Sequence, residues 1–398
     1  MKFALISHVM PPSGSGQSVM LARLLGGLDP AEYCLISAGT PVAGDAFARS
    51  LPARYYQLPH QIFVNRGFRY GLKFVREAIN FLLGVRARAR RIREIVQREK
   101  CSAIVACSGD LEDLPAAWLA SRRLSIPFYA YYFDYYSHQF VAPEKRVLAR
   151  LVEPLFIRRT AGIITTNEIL TEDLRRRYGV DSTVLHLPCD LEEYERLASD
   201  CAGNEGRSPN EVSMVYTGAI YDAHFNAFRN LLRAIETLKG KEIKVHIYAA
   251  QDKAELAANG IAGPVILHNH RPNSEMPCVQ RRADILFLAL AFNSPYPVIV
   301  RTAAPSKLAE YLASGRPILC HAPRDSFISW YFRKYECGVV VDEDDPAQLA
   351  KGIELILGDA QLCQRMIANA YERARTDFSI SASRAAFAQL LSLNGVGR

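Results

Sequence analysis

Short apolar runs alternate along the chain with longer stretches in which apolar positions recur every three or four residues. Runs at 2–8 (KFALISH), 33–37, 102–107 (SAIVAC), 127–132 and 161–166 (AGIITT) read as buried strands. Helical spacing fills the intervals at 17–28, 73–99, 113–124, 144–158 and 168–178. This order predicts a parallel sheet covered by helices on both faces. The stretch 201–211 (CAGNEGRSPNE), polar and rich in turn formers, reads as a linker. The alternation then restarts, with strands at 212–217, 243–248, 264–267, 284–288, 317–320 and 338–341. The helices of this half are expected at 224–238, 252–258, 274–281, 306–313 and 326–335. The expectation is an α/β protein of two doubly wound domains, 1–200 and 211–379, with a cleft between them. A C-terminal helix over 380–398 is expected to pack back on the first domain.

Composition changes this picture little. A length of 398 residues with 49% hydrophobic and 10% aromatic content suits two folded domains, each with its own core. The longest apolar run, 283–292 (ADILFLALAF), is too short to span a bilayer. The first residues, MKFALISHVMPP, read as a strand and not as a signal peptide. Nine Cys lie without Cys-x-x-Cys or His-rich spacing, which indicates neither a zinc site nor a disulfide framework. A reduced, cytoplasmic protein is the inference.

Charge is placed unevenly. Residues 1–190 hold 25 Lys/Arg against 17 Asp/Glu, whereas 191–398 hold 23 against 24, so the net +7 belongs to the first half. Residues 66–100 alone carry 11 basic and 3 acidic residues beside Phe63, Phe68, Phe74 and Leu82. A basic segment edged with apolar side chains suits an anionic membrane surface, here through residues 63–100 at the inner face of the membrane. An ordinary solvated helix has the same pattern. No helix-turn-helix, zinc finger or RNA-binding motif accompanies the charge, so nucleic acid is not an expected partner.

Two strand-to-helix junctions look able to receive an anion. The first is SHVMPPSGSGQSV (7–19), where His8 ends a strand and Ser13, Gly14, Ser15 and Gly16 form a loop. It lacks the third glycine and the downstream acid of a dinucleotide-binding loop, and a plain strand-to-helix turn remains open. The second is APSKLAEYLASGRPILCHAP (304–323). Pro305 suits a first helical turn, Ser306 can cap it, and Gly315 can end it in a left-handed conformation. Lys307 adds charge to the positive end of a helix, which costs about 0.3–1 kcal/mol unless an anion is bound there. Glu310, one turn on, shares a face with Lys307 and can accept hydrogen bonds from ribose hydroxyls. An exposed Lys307–Glu310 pair of little consequence is the bland alternative.

Read in order, ADILFLAL (283–290), APSKLAEYLASGRPILCHAP (304–323) and ECGVVVDEDDPAQLAKGI (336–353) resemble the nucleotide-sugar-binding domain of GT-B glycosyltransferases. The likeness is nearest to glycosyltransferase family four. The resemblance implies two Rossmann-like domains facing each other across a cleft, transfer of a sugar from a nucleotide diphosphate donor, and no bound metal or cofactor. It puts Glu310 on the donor ribose, with Ser306 and Lys307 bracketing the diphosphate. It also brings Gly218, in YTGAIYDAHF (216–225), to the phosphates and places Arg271 in the donor loop HNHRPNSEMP (268–277). PPSGSG (11–16) resembles the acceptor-side glycine loop. The chain departs from the pattern at Thr302, where the family carries the first of two Glu, and around Ala219–His224, where it carries Arg and Lys. It therefore resembles a Pro-Ser-Lys subgroup in which Lys307 neutralises the diphosphate.

YAYYFDYYSHQF (129–140) places Asp134 and His138 just past a strand end among tyrosines, where either can orient or deprotonate an acceptor hydroxyl. A satisfied polar pair in an aromatic loop fits the same residues. The implied activity is retaining transfer from a UDP- or GDP-type donor to a glycan or lipid-linked acceptor, in surface polysaccharide or glycoconjugate synthesis. The alternatives are a nucleotide-sugar epimerase of GT-B shape and a catalytically silent nucleotide-sugar-binding protein.

Overall fold

The computed structural model describes residues 1–11, 13, 15–39, 51–59, 73–197, 201, 210–269 and 271–393. Pro12, Gly14, His270, most of the 201–211 stretch and residues 60–72 therefore lie outside the described residues. The chain divides into two compact units, Met1–His186 with Ser383–Arg398, and Leu187–Ala382.

The first unit follows the order β1 (Phe3–Ile6), α1 (Gly16–Leu25), β2 (Tyr33–Ser37), β3 (Arg54–Gln57), α2 (Lys73–Glu99), β4 (Ala103–Cys107) and α3 (Asp113–Leu124). β5 (Phe128–Tyr132), α4 (Pro143–Ile157), β6 (Gly162–Thr165), α5 (Glu168–Tyr178) and β7 (Thr183–Val184) complete it. The strands form a parallel sheet in the order β3-β2-β1-β4-β5-β6-β7. Strands β1, β2, β4 and β5 are buried along their whole length, as continuous apolar runs in a doubly covered sheet should be. β3 and β7 escape the sequence pattern because they are edge strands with little buried surface: β3 reads RYYQ and has no fully buried residue. Ser15 caps α1 through Ser18 N–H and Asn167 caps α5 through Leu170 N–H, which fixes where these helices start.

The second unit begins with α6 (Leu191–Arg196), β8 (Glu211–Thr217), α7 (Phe225–Thr237), β9 (Glu242–Tyr248), α8 (Lys253–Ala258), β10 (Val265–His268) and α9 (Met276–Arg281). It continues with β11 (Ile285–Ala289), α10 (Pro297–Thr302), α11 (Lys307–Ala313), β12 (Ile318–His321), α12 (Phe327–Tyr335) and β13 (Val339–Val341). Its last helices are α13 (Pro346–Gly358), α14 (Ala360–Asp377) and α15 (Ile380–Leu393). The sheet order is β10-β9-β8-β11-β12-β13, again all parallel. Its core gathers Tyr216, Phe228, Ile247, Phe287, Leu319 and Ile353. From Ser383 onward, α15 belongs to the first unit: Arg384 donates to the carbonyls of Arg23 and Leu24, and Phe387 meets Phe3 edge-on at 5.7 Å.

In a doubly wound sheet the chain leaves the central strands in opposite directions, and the crevice lies at the C-terminal ends of the two strands where the order reverses. That point falls between β1 and β4 in one unit and between β8 and β11 in the other. Among the described residues, no helix is long and apolar enough to cross a membrane. Cys201 and Cys278 are paired in a disulfide with Cα atoms 4.9 Å apart, while the seven other cysteines are buried thiols. The sequence reading of unpaired thiols therefore fails for these two, because a bridge between residues 77 positions apart leaves no local spacing to read.

Candidate functional site

At the crevice of the second unit, Gly218 follows β8 with φ +107°, a conformation that favours glycine. Its N–H donates to Tyr248 O, and Gln251 Nε2 donates to Ile220 O, so the following loop is held to the end of β9. Tyr311, buried in α11, accepts a hydrogen bond from Thr217 N–H at 3.0 Å, which docks α11 against the same point. That docking brings the Lys307 side chain over the loop. A Cβ on Gly218 would lie 3.2 Å from Lys307 Nζ. The ammonium sits 3.6 Å above the ring of Tyr216, a cation–π contact. Among the described residues it has no hydrogen bond or close ion pair. Burial, opposed by Glu310, pushes the Lys307 pKa down to about 7. His224, at the start of α7, is pushed down to about 3 by burial and by Lys307, so it stays neutral. Its ring packs edge-on against Tyr216 at 5.9 Å.

Glu310 is held from another side. Gln280 Nε2 donates to Glu310 Oε2 at 3.3 Å, and Tyr194 Oη donates to Gln280 Oε1 at 2.6 Å. The tyrosine fixes which way the amide points, and the amide then offers its N–H to the carboxylate. Ser306 starts α11 in helical conformation without a side-chain cap, contrary to the capping role its type suggests. Gly315 does end that helix at φ +72°. Arg271 is ion-paired with Glu275 at the surface. Thr302 is buried and bonds to Val298 O within α10. Tyr216, His224, Gln280 and Tyr194 were not singled out by sequence; only their places at strand and helix ends hinted at them. Gly218→Ala is expected to destabilise the protein by about 1–3 kcal/mol, since both the strained φ and the crowding of Nζ would move the loop. Urea denaturation of the variant beside the wild type reads this directly.

In the first unit, His8 lies two residues past β1 and its ring lies against Gly109, where a Cβ would fall 2.1 Å from His8 Cε1. Gly109 has φ +130°, so this backbone and this close approach both call for glycine. His8 Nδ1 is buried with no hydrogen-bond partner among the described residues. Burial lowers the His8 pKa, Asp110 raises it and Arg88 lowers it. Ser13 and Ser15 spend their polar groups locally: Ser13 N–H donates to Ser18 Oγ, Ser15 N–H to Ser13 Oγ, and Ser15 caps α1 where Gly16 begins it. Gly14 lies outside the described residues. Gln17, overlooked in the sequence, donates to Ser7 Oγ and Ser108 O. Ser108 Oγ in turn donates to Asp134 O and accepts from the N–H groups of Phe133 and Asp134. The loops after β1, β4 and β5 are thereby joined.

The Asp134 side chain is solvent-exposed, yet crowding by surrounding protein raises its pKa above the ordinary carboxylate value. His138 is turned to other partners. Arg177 Nη1 lies 3.0 Å from its Nε2 and Arg150 Nη2 lies 3.5 Å from its Nδ1. Burial and the two guanidinium groups push it down to about 4. An imidazole whose free lone pair faces an arginine makes a poor proton acceptor.

Residues 222–373 match the model of the family described as glycosyl transferases group 1. No curated protein matches the chain in sequence. Solved structures align over the full length. Sucrose-phosphate synthase from Thermosynechococcus elongatus is 14% identical with a TM-score of 0.72, covering 100% of both chains. A glycosyltransferase from Rickettsia africae is 12% identical with a TM-score of 0.68, covering 100% of this chain and 99% of its own. Anabaena HepE, solved with UDP, is 12% identical with a TM-score of 0.68, covering 99% of this chain and 100% of its own. The two parallel α/β sheets of seven and six strands have the GT-B fold, and within them residues 222–373 carry the group 1 glycosyltransferase signature.

Proposed function

We propose that the chain is a metal-independent, retaining glycosyltransferase of the Pro-Ser-Lys subgroup of family four. It moves a sugar from a UDP- or GDP-type donor to a glycan or lipid-linked acceptor, in the cytoplasm, for a surface polysaccharide or glycoconjugate. The observation that carries the reading is Lys307, which has no close ion pair among the described residues and is held against the Gly218 turn and the face of Tyr216. A structural lysine would not be kept half-buried and unpaired at a helix start, since both burial and the helix dipole work against its charge. A diphosphate placed there satisfies it. The family match takes in Lys307, Glu310, Gln280 and His224, and a protein of the same fold has been solved with UDP and with UDP-glucose.

In this reading the bond between the anomeric carbon and the diphosphate oxygen breaks, and Lys307 stabilises the charge that develops on the leaving group. Glu310, steadied by Gln280, binds the ribose hydroxyls. Asp134, and not the arginine-bound His138, takes the acceptor proton. A thermal-shift screen with UDP-, GDP-, ADP-, CMP- and dTDP-sugars tests the donor class. One class should stabilise the protein by about 2.7 kcal/mol at a hundredfold excess over its dissociation constant, and the shift should survive EDTA. No shift with any of them would overturn the reading. Isomerisation of the donor without an acceptor would replace it with an epimerase.

A further inference from the structure

Helix α6 is six residues long, too short to hold its place by its own hydrogen bonds. One side of this segment is fixed to α14 and the residue after it: Tyr371 Oη donates to Glu195 Oε1, and Cys189 N–H donates to Phe378 O at 2.9 Å. A second set of contacts joins the segment to α9. Arg281 Nη2 donates to Tyr194 O at 2.8 Å, Tyr194 Oη donates to Gln280 Oε1 at 2.6 Å, and the Cys201–Cys278 bridge closes the set. Cys201 N–H donates to Leu197 O, so the bridge seizes the segment one turn past α6. Cys278 and Gln280 stand two residues apart on α9, and Gln280 Nε2 reaches Glu310 Oε2 on α11 at 3.3 Å. The bridge therefore grips the same short helix that presents an N–H to Glu310. A hydrogen bond exchanges with water at small net cost; a covalent bridge does not.

We infer that the Cys201–Cys278 bridge is a redox-controlled positioning element of the nucleotide site: closed, it holds α9 so that Gln280 orients Glu310, and opened by a dithiol, it frees α9 and weakens the binding of ribose hydroxyls. The inference rests on the reading of Glu310 as the ribose ligand. Cys201 and Cys278 are positioning residues, because they act through Gln280. Opening the bridge takes two electrons from the dithiol. A reductant thiolate attacks Sγ of Cys278, the more exposed residue of the two, the S–S bond breaks, and Cys201 leaves as a thiolate. The second reductant thiol then displaces Cys278 from the mixed disulfide, the reductant becomes a disulfide, and its two protons pass to the cysteines. In a reducing cytoplasm, bridges of this kind are transient and sense redox state. Because Tyr371 and Phe378 still hold the segment, opening the bridge releases α9 without unfolding the unit.

The experiment is calorimetric titration of the full-length protein with UDP, GDP and their 2′,3′-dideoxy forms, before and after dithiothreitol. Alkylation with iodoacetamide and peptide mass analysis verify that Cys201 and Cys278 have opened, the seven other thiols being buried. The expected result is a rise of about tenfold in the dissociation constant of the ribonucleotide that binds, as for loss of one hydrogen bond to a charged group. Its dideoxy form, which has no hydroxyls for Glu310, should bind equally before and after. A bridge that only stabilises the fold would weaken both alike. Cys201→Ser should reproduce the reduced state and lose the response to dithiothreitol. Tyr194→Phe, with the bridge intact, should show the same selective loss. Equal ribonucleotide affinity in the closed and reduced protein, or equal weakening of both nucleotide forms, would overturn the inference. If the closed protein binds no nucleotide, the donor-site reading fails by itself, and amide hydrogen exchange decides the coupling. Reduction should speed exchange in α9 and α11, and unchanged exchange there would overturn the inference as well.

Discussion

Lys307→Ala is expected to abolish the donor-induced thermal shift and to lower kcat/KM by about 10²–10³-fold, the usual effect of removing one preorganised charge from a leaving group. Lys307→Arg should not rescue it, because Nζ sits 3.6 Å over Tyr216 and beside Gly218, where a planar guanidinium does not fit. Donor binding should also carry a pH signature. In the free protein Lys307 titrates near 7, against 10.5 for an ordinary lysine. A diphosphate binds the ammonium form, so above about pH 7 binding must take up a proton, and the dissociation constant should rise towards tenfold per pH unit. Below that value it should be flat. The stability of the free protein runs the other way: between about 7 and 10.5 the unfolded lysine holds a proton that the native one has lost, so this group makes folding more favourable as pH rises. Calorimetric titration with a nucleotide sugar from pH 6 to 9, on wild type and Lys307→Ala, measures the first effect. A pH-independent constant for the wild type would remove Lys307 from the diphosphate.

Most of the strand and helix order was legible because strands buried on both faces are continuous apolar runs and the helices between them keep their periodicity, but α6, α10, α13 and α14 were not among the expected helices. The edge strands Arg54–Gln57 and Thr183–Val184 were not, since a strand that buries one edge needs few apolar residues. In the site, Gly218 and Lys307 could be named from local chemistry: a turn glycine after a strand and a misplaced charge at a helix start. Tyr216 and Gln280 could not. Each acts through a neighbour distant in sequence, Tyr216 beneath Lys307 and Gln280 between Tyr194 and Glu310. His138 shows the converse. Its position past a strand end was right for chemistry, but Arg150 and Arg177, remote in the chain, occupy both ring nitrogens.

Arg88→Met is expected to destabilise the protein by about 3–5 kcal/mol at pH 7.5, as for other buried ion pairs that lose one partner. Arg88 is 2% exposed on α2, and its Nη1 lies 2.6 Å from Asp110 and 2.5 Å from Asp113, with Nε 3.0 Å from Glu112. One guanidinium thus serves three carboxylates. Burial, opposed by Arg88, pushes Glu112 and Asp113 up to about 7. Between about pH 4 and 7 the native protein therefore keeps protons that the unfolded chain releases, so these groups favour folding at low pH and lose that contribution as pH rises. Without Arg88 the carboxyls should hold their protons still harder. The penalty should then shrink at pH 5 and be largest above 7, which urea denaturation at pH 5, 6 and 7.5 would show. A penalty under 1 kcal/mol at every pH would mean that water, and not Arg88, satisfies the carboxyls. The same variant links the network to the crevice. Asp110 raises the His8 pKa and Arg88 lowers it, so removing Arg88 should move the His8 titration upward in NMR. A shift there, 80 positions away in sequence, would show that the Arg88 charge reaches the histidine at the strand-order reversal.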